Sequence, residues 1–113
     1  MRRFICSAAL ILWAANAAAA QQKIYEGSEA AALRCANAMA LTAVALSDAG
    51  LMGEGEKEVM LQITVAILDR HVSGTWGQKK AALEVVRDRR DVAETLDDFQ
   101  LLAEKCLRQF PIN

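Results

Sequence analysis

The chain has 113 residues, with 13 Lys and Arg against 14 Asp and Glu for a net charge of −1, and 54% of its residues are hydrophobic. Such a balance offers no basic footprint for nucleic acid or an anionic membrane. The length suits one domain with a modest core, near the size range where a covalent staple helps.

The first twenty residues set the expected compartment. Arg2 and Arg3, the apolar run from Phe4 to Ala15 and the small-residue tract Ala17 to Ala20 follow the order of a secretory signal. Ala18 and Ala20 stand at the −3 and −1 positions for cleavage. The run falls short of the roughly 20 apolar residues that span a bilayer, so no stable membrane anchor is expected after cleavage. Cys6 leaves with this segment. Processing then leaves 93 residues (113 less 20) with a net charge of −3, because Arg2 and Arg3 are lost. The expected location is periplasmic or secreted.

Two cysteines survive, Cys35 and Cys106, in a compartment where disulfides persist. An even pair in a small exported domain reads as a structural bridge, and without a C-x-x-C motif there is no support for thioredoxin-like chemistry. Closing a loop of roughly seventy residues stabilises by about 4 kcal/mol in the chain-entropy model.

In chain order, residues 21–27 read as a flexible lead-in and residues 28–113 as the helical domain. Ser28 and Glu29 suit the start of a first helix, Ser28 as cap and Glu29 at the positive end of the dipole. The pattern runs to Gly50, with Cys35, Met39, Thr42 and Leu46 on one apolar face and Leu33, Ala36, Ala40 and Val44 on a second. Arg34, Asn37 and Asp48 leave only a narrow wet stripe, so this reads as a largely buried helix whose alanines let neighbours approach closely. A second helix follows from about Glu56 to His71 or Val72, with Val59, Met60, Ile63, Ala66 and Ile67 as its core face. Its second apolar face, Leu61, Val65, Leu68 and Val72, is set off by Lys57, Thr64 and His71.

Thr75 and Gln78 form a capping-box pair opening a third helix, with Ala81, Ala82, Val85 and Val86 inward. Asp91 and Glu94 repeat that signal, so the third helix either breaks there or bends. The last helix has the cleanest period: Val92, Leu96, Phe99, Ala103, Cys106 and Phe110 share a face, with Leu102 and Leu107 at its margins, and Pro111 ends it. The pattern predicts an all-α fold, a small antiparallel bundle of three to four helices stapled by Cys35–Cys106.

Residue types that carry chemistry are few. His71 is the only histidine, leaving zinc without a ligand set, and it reads as a helix-end residue favoured by the dipole. Asp97 and Asp98 point about 100° apart on a helix, while Glu54, Glu56 and Glu58 sit at a helix start where acids are expected. Ser28, Ser47, Ser73 and Thr75 read as caps and turn residues. Lys79, Lys80, Arg87, Arg89 and Arg90 form the one basic stretch, diluted by Glu84, Asp88 and Asp91, and read as a solvated face. No catalytic residue, metal site or cofactor is expected.

The surplus apolar face of the second helix, Leu61, Val65, Leu68 and Val72, with Trp76 in the following turn, is either covered within the bundle or forms an interaction face. On that basis the leading expectation is a non-enzymatic periplasmic protein-interaction module, engaging a protein partner or a second copy through helix two. In size, export, helicity and cysteine count the chain also resembles small periplasmic acid-stress chaperones of the HdeA type. No motif is shared and no residue roles carry over, so the resemblance implies only an alternative, a stress chaperone that loosens in acid. A small-ligand carrier or enzyme is a third reading, requiring a concave pocket with convergent polar groups such as Arg90, Glu94 and Asp97 beside Trp76.

Overall fold

Short side chains put the first helix in the middle of this protein. In a computed structural model, which describes residues 23–113, four helices are present: α1 (Gly27–Asp48), α2 (Glu54–His71), α3 (Trp76–Arg89) and α4 (Val92–Gln109). No strand occurs among the described residues. The expected signal segment, residues 1–20, lies outside them. Each of α2, α3 and α4 packs against α1, and contacts among those three are sparse. Ala32, Ala36 and Ala43 have no exposed surface, so neighbouring helices approach the α1 backbone from several sides. α1 is also long and apolar enough to cross a membrane by length and composition; in this fold it is the core helix.

The core gathers Leu33 and Met39 of α1, Ile67 and Leu68 of α2, Val72 just beyond it, and Phe110 at the end of α4. The Cys35–Cys106 disulfide lies within that cluster, with a Cα–Cα separation of 5.7 Å across 71 residues of sequence. The all-α bundle with its single bridge is therefore as expected, and α1 is the helix on which the other three pack.

Local signals account for most helix ends. Gly50 takes a φ of +73° after α1, and Leu51 N–H donates to the Leu46 carbonyl at 2.8 Å, closing the last turn. Thr75 and Gln78 form the predicted capping box: Thr75 Oγ1 accepts from Gln78 N–H at 3.1 Å, and Thr75 N–H donates to Gln78 Oε1 at 2.9 Å. Asp91 Oδ1 accepts from Glu94 N–H at 2.7 Å. With Arg90 extended just before it, α3 and α4 are separate helices and not one bent helix. Ser28 does not cap α1: the helix begins at Gly27, and Glu26 at the cap position makes no side-chain cap bond.

Several faces differ from the periodic expectation. Asn37 belongs to the buried set of α1 and not to a wet stripe. Thr64, expected to divide the two faces of α2, is buried and donates its hydroxyl within its own helix to the Met60 carbonyl at 3.0 Å, with the Ala36 carbonyl of α1 at 3.5 Å. The buried stripe of α2 consequently runs through Met60, Thr64, Ile67 and Leu68, leaving Val59 exposed on its flank. Val92, the first residue of α4, and Ala81 on α3 are exposed too. Thr95 is buried instead, its hydroxyl donating to the Asp91 carbonyl at 2.9 Å.

Candidate functional site

The predicted α2 face does not survive as one surface. Leu68 and Val72 are core residues with 1% and 3% exposure, so neither is available to a partner. Leu61 is half-buried, and Val65 and Trp76 are each 48% exposed. The reason is the rotation of the α2 stripe toward α1, which takes the C-terminal half of the second face inward. His71 Nε2–H donates to the Pro111 carbonyl at 2.7 Å, and its ring meets Phe110 edge-on at 5.3 Å, so it fastens the chain after α4 to the end of α2.

The carboxylates do not converge with Trp76. Arg90 Nη2 donates to Asp98 Oδ1 at 3.0 Å, its Nε lies 2.7 Å from Asp98 Oδ2, and its Nη1 lies 3.4 Å from Glu94. Asp97 is exposed and outside this pairing. Among the described residues no group of three or more His, Cys, Asp or Glu is placed to hold a metal.

What the fold does build is a cleft over α1. Because α3 and α4 each pack on α1, a cavity opens on either side of Arg34. The first, of about 360 Å³, lies between the residues preceding α1, α1 itself and α3, with Leu33, Ala82, Val85 and Val86 among its walls. The second, of about 330 Å³, lies between α1 and α4 beside the disulfide, with Ala38 and Leu102 on its apolar side. Arg34 and Arg90 line both. Arg90 is committed to Asp98 and Glu94. Arg34 is exposed and makes no hydrogen bond or ion pair among the described residues, and the same holds for Arg89 at the edge of the first cavity. Part of the basic stretch thus borders a cavity and Lys79 is buried, while Lys80, Arg87 and Arg89 are exposed as expected of a solvated face.

One wall of the first cavity is the lead-in, where fraying was expected. Residues 23–26, which have no regular secondary structure, form a strap fastened to the turn between α2 and α3. Lys23 Nζ donates to the Ser73 hydroxyl, and Tyr25 O–H donates to the Ser73 carbonyl at 2.7 Å. Ser73 N–H in turn donates to Glu29 Oε2 at 2.5 Å. That backbone bond, then the Ser73 side chain and the charges of Lys23 and Lys79, hold the Glu29 carboxyl below its ordinary value against an opposing effect of burial. Burial, then the nearby Glu29 charge, pushes the Tyr25 hydroxyl up, keeping it a donor.

No family model, curated protein or solved structure matches the chain. Sequence reasoning missed both Arg34 and the strap. Arg34 had a signal: it is the single charged side chain between Glu29 and Asp48. The strap had none, since its partners lie 44 to 50 residues away.

Proposed function

We propose that this domain is a non-enzymatic binding module of an oxidising compartment outside the cytoplasm, periplasmic or secreted, and that it holds its ligand in the cleft over α1. The observation that carries this is Arg34, a guanidinium without a partner among the described residues at the junction of two cavities, the first with Leu33, Ala82, Val85 and Val86 among its walls. Small-ligand sites combine apolar walls with a few converging polar groups, in volumes of about 300–1,000 Å³. The cavity of about 360 Å³ beside α3 fits the lower end of that range. The buried disulfide and the signal-like first twenty residues support the compartment.

The test uses the exported, oxidised protein and an anionic fluorescent naphthalene sulfonate as apolar probe. Saturable binding is expected, and Ala81→Trp, at an exposed position on the cavity wall, should abolish it while leaving the circular dichroism unchanged. Binding that is absent, or indifferent to Ala81→Trp, contradicts the proposal. Intact mass of the product should show loss of residues 1–20 and two fewer hydrogens than the reduced chain.

A protein-interaction role is the second reading. Its specific support is the apolar surface that remains, Val65 and Trp76 at 48% exposure and Leu101 at 80%. Light scattering distinguishes it: self-association removed by Val65→Glu or Leu101→Glu favours contact between copies, and a concentration-independent monomer argues against such contact.

A further inference from the structure

We infer that the first cavity accepts the hydrocarbon chain of a single-chain carboxylate and that Arg34 binds its carboxylate group. The inference rests on the binding-module reading and adds the chemistry of the ligand. Two features of the cleft select it. Leu33, Ala82, Val85 and Val86 contribute apolar walls along the seam between α1 and α3, which suits methylene groups and gives them no polar partner. The cavity at about 360 Å³ is small, suited to one chain.

Charge sets the direction of the ligand. Lys23, at the strap end, is engaged with the Ser73 hydroxyl and lies over the Tyr25 ring at 5.1 Å. At the other end, Arg34 and Arg89 have no partners among the described residues. Along α3, Gln78 and Arg89 bracket about 16 Å of helix, so an extended chain with its carboxylate at Arg34 points toward the strap. Arg90 displays the required chemistry within the protein itself, since its Nη2 donates to Asp98 Oδ1 at 3.0 Å. A guanidinium presents a planar fork matched to a carboxylate. Arg34 offers the same fork to an external group, beside an apolar cavity where a bound chain would exclude water and strengthen the contact.

The assignment is tested by calorimetric titration of the exported protein with dodecanoate, dodecanol and dodecyltrimethylammonium, each below its micellar range. Dodecanoate is expected to bind about tenfold or more tighter than dodecanol, as a charge-assisted hydrogen-bonded pair implies, with the cationic amphiphile weakest. Arg34→Gln should erase that preference, and Arg34→Lys should restore part of it. Ala81→Trp should remove all three. Equal affinity for dodecanoate and dodecanol, or a preference that survives Arg34→Gln, overturns the headgroup assignment while the binding module stands. If no chain binds but the naphthalene sulfonate still binds in an Ala81-dependent way, the ligand class is wrong and the cleft remains a site. If neither binds, both proposals fail.

Discussion

Two fastenings tie α1 to the rest of the molecule, and they are built from opposite materials. On one side Cys35 and Cys106 join α1 to α4 inside the buried core. On the other, Lys23, Tyr25 and Glu29 join the start of α1 to Ser73, an exposed turn residue, through polar contacts alone. The covalent fastening answers to redox potential and is indifferent to pH. The polar one is indifferent to reductant and answers to the charge on Glu29. Closeness of packing decides which chemistry serves: a dry seam leaves polar groups without water and favours sulfur, whereas a wet turn offers backbone groups that need partners.

The largest effect should come from breaking the covalent side. Cys35→Ser with Cys106→Ser is expected to lower unfolding free energy by about 4 kcal/mol, since the bridge closes a long loop. Urea denaturation of the oxidised protein and the variant measures this, and the loss should be the same at pH 5 and pH 7.

Next comes Gly74→Ala on the polar side. Gly74 has a φ of +99°, and a Cβ there would stand 2.6 Å from Gln78 Oε1 and 2.9 Å from the Tyr25 hydroxyl. Both atoms already have jobs, one in the α3 capping box and one in the strap. Left-handed strain and the displaced bonds together should cost about 2 kcal/mol, read by thermal unfolding.

Tyr25→Phe is milder, removing one hydroxyl that donates to the Ser73 carbonyl. A loss of about 1 kcal/mol is expected by chemical denaturation, with protease cleavage near Lys23 accelerated because the strap is released.

The smallest effect is the most specific. Glu29 has a folded pKa depressed below its ordinary 4.5, so its stabilisation is complete above that value and is lost as pH falls through the folded one. Glu29→Gln should therefore flatten the acid limb of the stability–pH curve below about pH 4.5 and leave reduction of the Cys35–Cys106 bridge little changed. An acid limb unchanged by the substitution would show that Ser73 is not held through this carboxylate.

Helix existence, the capping box at Thr75, the Asp91 cap and the pairing of Cys35 with Cys106 were all legible in the chain. A cap is made by residues three apart and an amphipathic stripe by residues three and four apart, so these signals are complete within one segment. The cleft was not legible, although its parts were visible: Arg34 stood alone among apolar neighbours and was read as part of a wet stripe.

The amino-acid pattern alone therefore determined that the protein is helical and which two sulfurs pair, and it left open whether α3 and α4 are two helices or one bent one. Only the tertiary structure decided that α1, already legible as a largely buried helix, is the one all three others pack on, that Leu68, Val72 and Thr64 turn inward, and that the lead-in is a fastened strap walling a cavity. Local signals are written by short-range geometry. Which helix lies in the middle depends on how closely backbones approach across alanines, and that is settled between segments far apart in sequence.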